Sequence, residues 1–138
     1  MTTTQGSCLC GAITFAVSLP SRWVAHCHCG MCQKSAGAAF VTWVGVSDDD
    51  CHIHDPQSQL QWYRSSPEAQ RGFCKTCGST LLFKSSRWPG EIHITLANFQ
   101  KPVDKTPQVH AFWESHVDWI TIDDDLPRKT SVQIFGEK

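Results

Sequence analysis

Cys27-His28-Cys29-Gly30-Met31-Cys32 decides how this chain is read. Three thiols fall within six residues in a C-x-C-x-x-C pattern. Thiols that crowded are bridged, oxidised or bound to a metal, and the rest of the sequence selects among these. Working outward, the cysteines keep clustering. Cys8 and Cys10 form C-x-C upstream, Cys74 and Cys77 form C-x-x-C before Gly78, and of the eight only Cys51 stands alone.

The compartment decides what clustered thiols do. The stretch Met1-Thr2-Thr3-Thr4-Gln5-Gly6-Ser7 has neither the charged nor the apolar region of a signal peptide, which places the protein in a reducing cytoplasm. There, clustered cysteines point to metal binding or catalysis rather than to four disulfides. Length agrees with one domain: 138 residues bury roughly 68–70% of the unfolded surface, enough for a core without staples. With 12 basic and 13 acidic residues and no basic run, the chain lacks the electrostatic footprint of a nucleic-acid or anionic-membrane partner. No apolar run approaches the roughly 18 residues of a membrane span.

Hydrophobic patterning predicts an all-β single domain of many short strands. Ser7 to Val17 alternates with period two and carries Cys8 and Cys10 on one face. Ala39 to Val46 is apolar on both faces and reads as a strand buried on both sides. Cys51–His54, Gln59–Arg64, Thr80–Phe83, Glu91–Leu96, Val109–Glu114 and Trp119–Ile122 are further short strands, and Val132 to Phe135 an edge strand or a tail. Helix signals are nearly absent; Gln33–Gly37 allows at most one turn.

Cys74-x-x-Cys77-Gly78 has the form of a zinc knuckle, with the glycine taking positive φ after the second ligand. One knuckle supplies two ligands and tetrahedral zinc takes four, so Cys8 and Cys10 are its partners in a closed, structural site. Cys27, Cys29 and Cys32 then hold a second zinc whose fourth position goes to water, to His26 or His28, or to an outside thiol. Three thiolates leave that centre at a charge of about −1, suited to a soft ligand such as a substrate sulfur. Lys34 is a candidate for charge compensation, and His26 or His28 for proton transfer. A redox Cys29-x-x-Cys32 pair is disfavoured because no strand-then-helix context surrounds it. A purely structural zinc closed by a histidine is the other alternative. The six tryptophans read as core, and Arg71 as a surface ion pair.

Three stretches together carry a resemblance. Cys8-Leu9-Cys10-Gly11, then Cys27 through Ala38, then Arg71-Gly72-Phe73-Cys74-Lys75-Thr76-Cys77-Gly78-Ser79 follow the order C-x-C-G, C-H-C-x-x-C-Q-K-x-x-G-A, R-x-F-C-x-x-C-G-S. This resembles the glutathione-dependent formaldehyde-activating (GFA) enzymes and centromere protein V, and the stretches at His110–Ser115 and Trp119–Pro127 are similar to that family's C-terminal pattern. The resemblance covers nearly the whole chain and implies one domain, 1–138, with a motif core at about residues 5–127. It implies a zinc-bound β-tent of stacked short antiparallel sheets with two Zn²⁺ per chain. Cys8, Cys10, Cys74 and Cys77 would form the structural site, and Cys27, Cys29 and Cys32 the active one. The activity it implies is that of a carbon–sulfur lyase joining a small thiol, glutathione, to an aldehyde, formaldehyde, as S-hydroxymethylglutathione. The basic, proline-rich leader similar to that of centromere protein V is absent, which argues against a microtubule or chromatin role. The competing expectation is a non-catalytic zinc-stabilised module that binds a thiol conjugate or a protein.

Overall fold

Period-two alternation is the device that builds this molecule. In the computed structural model, which describes residues 2–136, the chain is mostly β. The strands, in chain order, are β1 (Thr3–Ser7), β2 (Thr14–Ser18), β3 (Trp23–Cys27), β4 (Val41–Ser47), β5 (Cys51–His54), β6 (Leu60–Ser66), β7 (Ala69–Cys74), β8 (Thr80–Ser85), β9 (Glu91–Thr95), β10 (His110–Ala111) and β11 (Arg128–Lys129). Two helices, α1 (Gly30–Ala36) and α2 (Ser131–Phe135), complete them. The expected domain 1–138 includes Met1, Glu137 and Lys138, which lie outside the described residues. Among the described residues no helix is long and apolar enough to cross a membrane.

The strands form a small sheet, β1-β2-β5, and a large one, β11-β10-β3-β4-β9-β8-β7-β6. The small sheet is antiparallel, but β10 runs parallel to β3 and β11 parallel to β10. The expectation of purely antiparallel sheets is corrected there: a two-residue strand reached by a long loop has no turn geometry to fix its direction. One face of the large sheet, with Val24, Val44, Val46, Leu82, Ile92 and Ile94, packs on Ile13, Phe15 and Val17 beneath the small sheet. The residues between them, Ala25 and Trp43 among others, point to the opposite face. β4 is thus covered on both sides, as its sequence predicts.

Other expectations shift. Cys8 to Ile13 is a turn and not a strand: Gly11 takes φ +82° and its N–H bonds the Cys8 carbonyl at 3.2 Å. α1 has seven residues and not one turn, closed by Gly37 at φ +61°. Val132–Phe135 lies in a helix capped by Thr130 and Gln133, not in an edge strand. Trp119–Ile122 forms no strand, and Trp119 and Ile120 are exposed rather than core. Cys51 sits half-buried on β5, where burial and nearby Asp48 push its thiol up to about 11.

Candidate functional site

Two turns bring four sulfurs together. Cys8 follows β1 and Cys10 lies in the next turn, while Cys74 ends β7 and Cys77 lies in the turn after it. Their Sγ atoms all lie within 4.8 Å of one another, with Cys8–Cys10 at 3.7 Å and Cys10–Cys74 at 3.8 Å. Gly78 takes φ +78°, as the knuckle pattern predicts, and its N–H bonds the Cys74 carbonyl at 2.7 Å. The Leu9 N–H donates to Ser79 Oγ at 2.8 Å, which ties one turn to the other. Four sulfurs at this spacing could hold a tetrahedral ion.

The second group is built by the end of β3 and the start of α1. Cys27 is the last residue of the strand, Cys29 is the helix N-cap, and Cys32 lies inside the helix. The three Sγ atoms again lie within 4.8 Å, with Cys27–Cys32 at 3.4 Å. Cys29 Sγ accepts from the Cys32 N–H at 3.3 Å. Hydrogen bonds from the Cys27 and Cys32 thiols, with the charge of Arg71, push the Cys29 thiol far down, while the same cluster and burial push Cys27 up. Three sulfurs converging at this spacing could hold a cation. The strand-then-helix context deemed missing around Cys29 and Cys32 is therefore present. What sets the pair apart from a two-thiol redox site is the third sulfur in the same group.

The cation beside these sulfurs is Arg71 rather than Lys34. Arg71 projects from β7, is 7% exposed, and donates from Nη1 to Cys32 Sγ at 3.5 Å. Its guanidinium stands 4.9 Å from the centre of the Phe83 ring, and its Nε has no partner. The expected surface ion pair is corrected: the side chain is inside. Lys34 is exposed in the last turn of α1.

His26 and His28 do not join the three sulfurs. Alternation along β3 turns Trp23, Ala25 and Cys27 to one face and His26 to the other, where its Nδ1 meets Thr42 Oγ1 at 2.7 Å. His28 is fully buried beyond the strand, its Nε2 2.8 Å from His110 Nδ1. His110 Nε2 meets the Asp124 carboxylate at 2.9 Å. That carboxylate requires a donor, so a neutral His110 accepts at Nδ1 and His28 donates from Nε2. Burial and His110 hold His28 down at about 4. The chain of three clamps the cysteine loop from behind, helped by Gln33 Nε2, which donates to the His28 carbonyl at 2.7 Å.

A cavity of about 510 Å³ opens in front of the three sulfurs, and Cys27, Cys29, Cys32 and Arg71 are part of its wall. Trp23, Trp43 and Phe83 line it from the large sheet, Trp88 from the turn between β8 and β9, Phe112 from just after β10 and Phe135 from α2. Three tryptophans read as core therefore face a cavity. Phe112 holds φ +57°, an uncommon backbone for an aromatic residue and one found at binding sites. His93, buried in the same wall, bonds Glu91 Oε1 through Nε2 at 3.0 Å, and its burial lowers its basicity. Reading the sequence misses His93, His110 and Asp124, which lie outside the cysteine motifs, and places Arg71 at the surface although it opens one of them. The Arg-x-Phe-Cys pattern was the one available signal for Arg71.

Comparison with known proteins agrees with this arrangement. The family model described as "Glutathione-dependent formaldehyde-activating enzyme" matches residues 3–115. A Halomonas elongata protein named "Putative glutathione-dependent formaldehyde-activating enzyme" is 28% identical over 126 residues, covering 86% of this chain and 80% of that protein. An uncharacterized lyase of Schizosaccharomyces pombe is 30% identical over 79 residues, covering 57% of this chain and 56% of its own length. The crystal structure of a Rhodobacter sphaeroides protein shares the fold at a TM-score of 0.60 and 18% identity, over 91% of this chain and 99% of that one. With its family model matched across most of its length and its cysteine groups in place, the chain belongs to the glutathione-dependent formaldehyde-activating enzyme family.

Proposed function

We propose that this protein is a zinc-dependent carbon–sulfur lyase that makes and breaks the bond between a thiol sulfur and an aldehyde carbon. One observation carries the reading: only one of the two sulfur groups faces a cavity. All three residues of the Cys27, Cys29, Cys32 group line the cavity, and none of the four-sulfur group does. Four thiolates saturate a tetrahedral zinc, whereas three leave a position for an outside ligand. The all-sulfur donor sets fit zinc at both places. When bound, the metal supplies a soft Lewis acid for a thiolate sulfur or a carbonyl oxygen. The small thiol and aldehyde named by the family description are glutathione and formaldehyde, whose adduct is S-hydroxymethylglutathione.

The chain's own residues supply the rest. Arg71 offsets the surplus negative charge of three thiolates, the part expected of Lys34, and orients Cys32. His26 and His28 lie off the cavity wall, so their part is to position the cysteine loop. His93, kept neutral by burial and oriented by Glu91, is the imidazole in the wall and the candidate to carry the thiol proton. The aromatic wall excludes water from the reacting atoms.

Cobalt substitution tests the reading. Thiolate charge-transfer bands count sulfurs on each metal, and ligand-field bands report the open position. The expected result is a saturable shift of one metal's bands on adding a thiol, abolished by Cys29→Ser. Two metals whose spectra ignore every thiol would mean a closed second site and a non-catalytic zinc-stabilised binding module.

A further inference from the structure

The wall of the cavity says what kind of thiol adduct it takes. Six aromatic side chains, Trp23, Trp43, Phe83, Trp88, Phe112 and Phe135, surround the approach to the three sulfurs. The one buried charge among the lining residues is Arg71, which donates from Nη1 to Cys32 Sγ and stands against the Phe83 ring, with its Nε unpartnered. The exposed charges, Glu68 and Arg87, belong to the surface end of the wall; Arg87 lies flat on Phe135, 3.7 Å from its ring centre. Glutathione carries two carboxylates, an ammonium and two amides. Desolvating such groups without partners costs several kcal/mol each, and against six rings the wall sets few uncharged polar groups, the hydroxyls of Ser65, Ser66 and Ser85 and the His93 imidazole, already bonded to Glu91. An apolar or aromatic body gains there, because each buried ring contributes through transferred area and ring contact. A cavity of about 510 Å³ is large enough for a small ligand with one such ring.

We infer that the occupant is the hemithioacetal of a thiol with an apolar or aromatic body, with glutathione a poor substitute; this rests on the carbon–sulfur reading of the same site. The step is balanced without a redox partner. The C–S bond breaks and its electron pair stays on sulfur, the hydroxyl oxygen becomes the carbonyl oxygen as its O–H bond breaks, and that proton ends on the sulfur. The reverse direction joins thiol and aldehyde.

Calorimetric titration of the zinc-loaded protein with phenylmethanethiol and with glutathione tests the inference, together with consumption of each thiol in the presence of formaldehyde. Phenylmethanethiol should bind at least about tenfold more tightly than glutathione. Phe135→Ala, a residue outside both buried core clusters, should erase most of that preference. Equal or tighter binding of glutathione overturns the inference and leaves carbon–sulfur chemistry standing. So does a preference that Phe135→Ala leaves intact, since the ring would then be bound elsewhere. Selective, Phe135-dependent binding of phenylmethanethiol without consumption of either thiol upholds the occupant and overturns the lyase reading.

Discussion

Three thiolates around one divalent ion leave about one negative charge, and the nearest cation to it is Arg71, 3.5 Å from Cys32 Sγ. Groups that touch metal ligands without touching the metal typically change affinity or activity by roughly 10–100-fold when removed. Arg71→Met, which keeps the apolar stem and removes the charge, is expected to weaken zinc at the second site within that range and leave the first site unchanged. Competition with a chromophoric chelator resolves the two; equal affinities in parent and variant would remove Arg71 from this role. His93 gives a second prediction at the same scale. Its pKa lies below the ordinary 6.5, chiefly because it is buried, although Glu91, itself bridged to Arg22, pulls the other way. The unfolded chain therefore binds this proton more readily than the folded one. The stability contributed is present above pH 6.5 and declines as pH falls from there toward the lower folded value. Urea unfolding of His93→Gln, compared with the parent, should show a flatter loss between pH 6.5 and 5; identical slopes would mean that His93 takes up its proton equally in the folded and unfolded states.

Elements meet here through small residues at specific places. A Cβ on Gly45 of β4 would lie 2.2 Å from the Trp23 indole of β3, so the cross-strand pair needs a glycine. Gly45→Ala should force Trp23 toward the cavity and destabilise by about 1–3 kcal/mol. The paired readout is a shift in tryptophan emission with a lower urea midpoint; an unchanged midpoint would show that the indole moves freely. Several elements were legible in the sequence: β2 alternates as read, β4 is covered on both faces as its apolar run predicts, and β9 buries Ile92 and Ile94 as read, with His93 and Thr95 buried as well. Others were not. α1 begins at the N-cap Cys29, a residue whose capping sulfur is no sequence signal for a helix. α2 did carry one, Thr130-x-x-Gln133, hidden by a β-rich composition around it. β7 was missed because Arg71 was placed at the surface, yet it is buried against sulfur, and Gly72 beside it packs closely against Leu60, Trp62 and Leu82. The grouping of the cysteines was readable since chelating spacing is local. The direction of His26 and His28 was not, because one residue along a strand reverses the face.

At the scale of the whole molecule, the two sulfur groups do different mechanical work. Cys8 and Cys10 lie between β1 and β2 of the small sheet, and Cys74 and Cys77 lie at the end of β7 in the large one. An ion held by all four would tie the two sheets across the core they share. Structural zinc of this kind is worth about 10–16 kcal/mol in small peptides, as much as the roughly 5–15 kcal/mol by which a whole domain is stable. The other group ties only β3 to α1, and Arg71 and the His28–His110–Asp124 chain hold its loop independently. Zinc removal should therefore proceed in two stages. A mild chelator acting through the cavity is expected to withdraw about one equivalent with the far-ultraviolet circular dichroism unchanged and thiol-dependent turnover lost. A stronger chelator should withdraw the second together with the sheet signal. Cys29→Ser should reproduce the first stage, a folded protein with one zinc, and Cys74→Ser the second, a protein that fails to fold. Loss of both ions in one step with unfolding would mean that the three-sulfur group also carries the fold. That outcome would favour a structural second zinc over an exchangeable one.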